Sequence, residues 1–102
     1  MFVVADLCKC IRNLKYLINF ISAAEARARE GDLKHASLLA SDALSELRDL
    51  ESCLGVSLDE TRRHLEEAFD KLFHEEKAEA GIGKLIRAQW SLFREIENKV
   101  CK

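Results

Sequence analysis

Residues 33–60 read LKHASLLASDALSELRDLESCLGVSLDE, and this stretch decides the fold. Ala36, Ala40, Ala43, Leu47, Leu50 and Leu54 recur at alternating intervals of four and three residues. That is the period of a helix laying one face on a neighbour, and Leu33, Leu39 and Leu44 broaden the seam. The three alanines at its start let another helix approach closely. Gly55 supplies a residue tolerant of the left-handed conformation that ends a helix, with Val56 placed to fold back on Leu50. Ser57-Leu58-Asp59-Glu60 then has the form of a capping box, Ser57 as cap and Glu60 at the third helical position. At the other end, Gly31 suits a helix terminus and Asp32 a helix cap. The stretch therefore predicts a helix over 33–54, broken on both sides.

Outward from it, residues 3–29 predict a long first helix. Val3, Val4, Leu7, Cys10, Ile11, Leu14, Leu17, Ile18 and Ile21 share one face. A second apolar strip, Phe2, Tyr16, Phe20, Ala23 and Ala24, lies opposite. A third helix is expected over 58–79, with the stripe Leu58, Leu65, Ala68, Phe69, Leu72 and Phe73. Gly81-Ile82-Gly83 predicts a break, since two glycines within one helix cost about 2 kcal/mol relative to alanine. A fourth helix over 83–100 follows, with Leu85, Ile86, Leu92, Phe93, Ile96 and Val100 on one face and Gln89 among them. Four amphipathic helices with short turns predict one all-α domain over 1–102, an antiparallel up-down-up-down four-helix bundle.

Composition agrees. The 102 residues include no proline and four glycines, and 48% are hydrophobic against 33% charged. That excludes turn-rich sandwiches, collagen-like chains and disorder. Few Asn, Gln and Pro with many Glu, Leu and Ala lean towards a thermophilic composition. The longest uncharged run, Tyr16 to Ala24, is far shorter than a membrane span. The apolar start carries Asp6 and Lys9 and does not read as a signal peptide. A cytoplasmic location with no membrane association is the resulting expectation.

The net charge of −2 gives no overall attraction to nucleic acid. The charge is segregated, however: residues 1–30 and 81–102 are net basic, and residues 31–80 are net acidic. Mutual attraction within or between subunits is one consequence, and a basic binding surface is the other. On helix 4, Lys84, Arg87, Trp90 and Arg94 point to an outer side, where cations beside an aromatic ring suit phosphate and a stacked base.

A chain this short buries only part of its apolar surface. Helix 1 has one apolar face for the core and another left over. Phe2, Tyr16 and Phe20, with Leu38 on helix 2, are the expected interface of a homodimer built around helix 1. The function expected is that of a homo-oligomeric interaction or scaffold module without a catalytic site or cofactor.

Two partial resemblances bear on this. Phe20 to Leu44 resembles one tetratricopeptide helix pair, with Gly31-Asp32-Leu33, Ala36, Ala43 and Leu44 at that family's spacing around its inter-helix turn. It covers about a quarter of the chain. Helix 2 runs past the length of such a helix, no proline closes the unit, and no tandem copy follows, so no peptide binding is carried over. Arg29 and His35 are similar in spacing to the Arg…His pair of HEPN-type domains, which are small helical bundles. They flank the Gly31-Asp32 turn, and Glu30 stands where that family has another polar residue. That resemblance implies RNA processing, and with the basic surfaces of helices 1 and 4 it makes RNA binding or HEPN-like processing the alternative function.

The four cysteines are read first as reduced, unlinked thiols. An up-down-up-down bundle nevertheless brings Cys8, Cys10, Cys53 and Cys101 towards one end, with His64 a turn or two inside. Cys10, Cys53, His64 and Cys101 are thus the candidate ligands of a zinc site. Cys8 and Cys10 lie about 200° apart on a helix and cannot both face one ion. A disulfide, involving Cys101 at the terminus, is the other possibility. On helix 3, Glu60/His64 and Asp70/His74 are spaced as solvated ion pairs. No Glu-x-x-His motif, phosphate loop or nucleophile–base pair occurs.

Overall fold

Cys10 and Cys53 are joined. Their Cα atoms lie 5.8 Å apart and their sulfurs are bonded, which ties the start of the first long helix to the end of the second. This corrects the expectation of unlinked thiols and removes two ligands from the expected zinc set. Cys8 and Cys101 are free and exposed. Among the described residues no group of three or more His, Cys, Asp or Glu is gathered to hold a metal. The expected up-down-up-down topology placed both cysteines towards one end of the molecule. Pairing required Cys10 to turn towards α2, and it does so where the helix is interrupted.

The structure, a computed structural model, describes residues 7–101. They are all-helical: α1 spans Ile11–Arg29, α2 Leu33–Leu54, α3 Asp59–Phe69 and α4 Ala78–Lys99. A short helical segment over 7–9 precedes α1, separated by a turn at Cys10. α1 packs most extensively on α2, and α3 on α4; α1 also meets α4, and α2 meets α3. The molecule measures 44 × 19 × 16 Å. A helix of 22 residues is about 33 Å long, so the body is little more than one helix long and about two helices across.

The seam around α2 forms as its spacing dictates. Ala36, Ala40, Ala43, Leu47 and Leu50 are buried against Leu17, Ile21, Ala24 and Ala28 of α1. Asp32 caps α2 by accepting from the His35 N–H. Gly31 adopts φ 83°, and its N–H and that of Asp32 donate to the carbonyls of Ala28 and Arg27, closing the end of α1. Gly55 is left-handed at φ 73°, and Val56 folds back to pack on the core.

The capping box at Ser57 does not form. Ser57 Oγ donates to Asp59, and the helix begins one residue later, with Leu58 at the cap and no side-chain cap of its own. Groups from other helices satisfy this end instead. Glu51 of α2 accepts from the Leu58 N–H at 2.6 Å and pairs with Arg62. Glu95 of α4 accepts from the Glu60 and Thr61 N–H groups.

The expected break at Gly81-Ile82-Gly83 lies instead at residues 75–77. α3 passes into a π-helical turn, Asp70–His74, and Glu76 takes φ 53° before α4 begins at Ala78. Both glycines therefore lie within α4. Gly81 is there because Leu72 presses against it: a Cβ built on Gly81 would collide with Leu72 Cδ2 and Cγ. The wide turn also rotates the stripe of α3, so Leu72 stays buried while Phe73, expected in the core, is exposed.

Two stability measurements follow. Around Gly83 nothing lies within 4 Å of a built Cβ. Gly83→Ala should raise the unfolding free energy by about 1 kcal/mol, the helix-propensity difference. Gly81→Ala should lower it, because overpacking against Leu72 costs about 1–3 kcal/mol. Urea denaturation of both variants checks the contrast, and equal effects would place the break back at the glycines. The Cys10–Cys53 bond spans 43 residues. Closing such a loop stabilises by about 4 kcal/mol, so Cys53→Ser should lose a comparable amount. Thiol titration of the unreduced protein should find Cys8 and Cys101 reactive and Cys10 and Cys53 protected.

Candidate functional site

The site begins with a buried carboxylate. Glu95 on α4 is only 7% exposed. Its Oε1 accepts from the Thr61 N–H at 2.8 Å and from Thr61 Oγ1 at 2.7 Å. Its Oε2 accepts from the Glu60 N–H and from Lys99 Nζ, each at 3.3 Å. Burial pushes the Glu95 pKa up, but these hydrogen bonds to the ionised form outweigh it and hold the carboxyl below its usual range. A negative charge at the positive end of α3 also suits the helix dipole. The bonds fix the start of α3 against α4.

Beside them runs a groove of about 420 Å³, lined by Glu60, Arg63, His64, Lys84, Arg87, Trp90, Ser91 and Arg94. The four residues that the sequence puts on the outer side of α4, Lys84, Arg87, Trp90 and Arg94, are thus gathered on one concavity, and α3 supplies its opposite wall. Arg94 Nη2 lies 2.6 Å from Glu60 Oε2. Lys84 Nζ lies 2.9 Å from Glu67 Oε1, and Arg63 lies 3.7 Å from the same side chain's Oε2. Lys84 holds the Glu67 carboxyl below its usual pKa. Such exposed pairs contribute little stability and are readily exchanged for another anion.

His64 lies at the floor of this groove, nearly buried, between Glu60 and Glu67 at 3.9 and 3.8 Å. Its Nδ1 has no hydrogen-bond partner. Burial lowers its pKa, the Arg63 charge adds to that, and the two carboxylates oppose it. Arg63, His64 and Glu60 are the members that the reading of α4 missed. Their own spacing, Glu60-Arg63/His64-Glu67, marks one face of α3, but nothing in the sequence says that this face opposes Lys84 and Arg94.

Trp90 belongs to two surfaces. With Gln89 and Phe93 it also lines an apolar depression of about 240 Å³. Trp90 is 71% exposed and Phe93 49%. On helical periodicity Ile82, Ile86, Gln89 and Phe93 lie on the side of α4 away from α3. Leu7, Ile11, Leu14 and Ile18 lie on the corresponding side of α1. Ile11 is exposed, and Leu7, Leu14, Ile18, Ile82 and Ile86 are half-buried.

Of the expected dimer patch, Tyr16 and Leu38 are exposed, whereas Phe20 is half-buried and packs against the core. Phe2 lies outside the described residues. Arg29 and His35 bond separate carboxylates, Glu25 and Asp32, at 2.7 Å each. Neither a family model, nor a curated protein, nor a solved structure matches this chain.

Glu95→Gln tests how the groove is anchored. At neutral pH the loss of charge-assisted bonds should cost about 1–3 kcal/mol of stability. Because the folded pKa is depressed, the stability that the ionised group supplies is present above the usual carboxylate range and is lost as pH falls through the folded value. The gap between wild type and Glu95→Gln in denaturant unfolding should therefore narrow at acid pH, and a pH-independent gap would contradict the assignment.

Proposed function

We propose that this chain is a non-catalytic interaction module: a single up-down-up-down, antiparallel four-helix bundle that pairs with a second copy through the outer face of α1 and α4. Three contacts support the bundle. Asn13 near the start of α1 bonds Glu46 late in α2. Lys99 at the end of α4 bonds the Ser57 carbonyl ahead of α3 at 2.5 Å. Lys84 early in α4 meets Glu67 late in α3.

The carrying observation for self-association is the exposure of Ile11 and Phe93 beside a row of half-buried aliphatic side chains. Isolated exposed apolar residues are ordinary, but a contiguous set marks an interface. Neighbours one turn away decide between the candidate faces. Around Tyr16 and Leu38 stand Arg12, Asn19, Lys34, His35 and Asp42. Around Ile11, Ile86 and Phe93 stand Leu7, Cys8, Leu14, Ile82, Gly83, Gln89, Trp90 and Ile96, with Lys15 and Glu97 as the charged members. A strip whose charges are one cation and one anion can meet itself across a two-fold axis without net like-charge repulsion, which favours a second copy as occupant.

Among the described residues no helix is long and apolar enough to cross a membrane. A Cys10–Cys53 bond is ordinary in an oxidising compartment, and it fits a cytoplasmic setting only in a hyperthermophilic cell, where intracellular disulfides persist. This joins the thermophilic lean of the composition to the location expected from the sequence.

Light scattering at tens of micromolar should give twice the 11.6 kDa chain mass. Phe93→Glu and Ile11→Glu should halve the measured mass with helicity by circular dichroism retained. Tyr16→Glu and Leu38→Glu should leave it unchanged. A wild-type monomer would overturn self-association, and dissociation only by the Tyr16 and Leu38 variants would move the interface to the α1–α2 side.

A further inference from the structure

The groove between α3 and α4 has an arrangement that self-association does not use. We propose that it binds single-stranded nucleic acid, with the Trp90 ring as a platform for one base and Arg87, Arg94 and Arg63 holding the flanking phosphates. Arg87, Trp90 and Arg94 are spaced three and four residues apart, so they form one row on the surface of α4. The two arginines are separated by seven residues, about 10 Å along the helix, with the indole between them. Trp90 is 71% exposed, a costly position for the largest side chain unless something flat covers it. Arg63 closes the row from the opposite wall.

A further observation separates this groove from an ordinary solvated face. Arg87 faces the concavity and makes no ion pair among the described residues, although acidic side chains outnumber basic ones in the whole chain. Beneath it, the buried His64 Nδ1 faces Glu67 Oε1 at 3.8 Å, so the floor is a buried polar pair. The remaining cations are paired with half-buried carboxylates, Arg94 with Glu60 and Lys84 with Glu67. A phosphate displaces such partners at little cost. The chemistry favours nucleic acid over an acidic peptide, because every base offers a π-face to an exposed indole and Asp or Glu side chains do not. A base is free to stack on an indole where it is unpaired, as in a single strand.

Trp90 is the sole tryptophan, so its emission reports on this groove and on the depression it shares with Phe93, and the titration is repeated on Phe93→Glu. The unreduced, full chain is titrated with twelve-nucleotide oligo-U and oligo-dT while Trp90 fluorescence is followed. The expected result is saturable quenching that weakens as salt rises. The log–log slope should be near −2, from about three phosphate contacts at roughly 0.7 each. In anisotropy titrations with labelled oligonucleotide, Trp90→Ala should weaken binding roughly ten- to hundredfold, as expected for one lost stacked base. Arg87→Ala and Arg94→Ala should each weaken it and flatten the slope by about 0.7. Glu60→Gln should tighten it severalfold by releasing Arg94. Arg48→Ala, on α2, should change nothing. The affinity of Phe93→Glu, measured on the monomer it should create, keeps this test separate from that of self-association. Absence of quenching at low salt would overturn the proposal. So would equal quenching by a poly-glutamate peptide, which would make the groove an acidic-peptide site, or equal binding of blunt duplex.

Discussion

The carboxylate of Glu95 is the contact on which the arrangement of the second half of the molecule depends. A helix starts with N–H groups that have no partner within the helix. In α3 that need is met by a side chain from α4, thirty-four residues later in the chain, which accepts from Thr61 and Glu60. A buried acid would ordinarily be protonated, and here the donors around it make the ionised form the stable one. Because it bonds two successive N–H groups and the Thr61 hydroxyl, Glu95 fixes where along α4 the start of α3 rests. The pairing of Arg94 with Glu60 and of Lys84 with Glu67 follows from that register, and so does the groove between them.

At the other end of the same helix pair the controlling feature is an absent side chain. Gly81 lets Leu72 sit directly on the backbone of α4. The π-helical turn before Glu75 makes this possible by keeping Leu72 inward where a regular helix would share the core with Phe73. The first two helices solve their approach with alanines, at Ala24, Ala28, Ala36, Ala40 and Ala43, and the Cys10–Cys53 bond then fixes one end. One half of the molecule is thus joined by small residues and a covalent link, the other by a polar cap and a glycine contact.

How much of this is legible in the sequence depends on whether the deciding partner is near in the chain. Gly31, Asp32 and Gly55 act on their own helix ends, and their roles read correctly. The heptad of α2 is equally local. Ser57 misleads because its capping role is taken over by Glu51 and Glu95, which only the tertiary fold brings near. Gly81 misleads because glycine marks a break by local rules and a close approach by non-local ones, and Leu72 cannot be seen as its neighbour in advance. The same distinction divides the site. Lys84, Arg87, Trp90 and Arg94 lie on one helix and emerge from periodicity. Arg63 and His64 join them only through the packing of α3 on α4. The disulfide falls between these cases: the shared end of Cys10 and Cys53 follows from topology, but the turn at Cys10 that aims its sulfur does not follow from a helical wheel.

α4 consequently carries three different surfaces on one cylinder. Leu85, Leu92 and Ile96 face the core, Lys84, Arg87 and Arg94 face the groove, and Ile86, Gln89 and Phe93 face outward beside α1. A helix so fully committed is poorly suited to an isolated small bundle, where each exposed aromatic is apolar area withheld from the core. The loop closed between Cys10 and Cys53 changes that balance, because it stabilises by restricting the unfolded chain and does not require further burial. With stability drawn partly from that bond, Trp90 and Phe93 can remain outside the core, on surfaces suited to a partner.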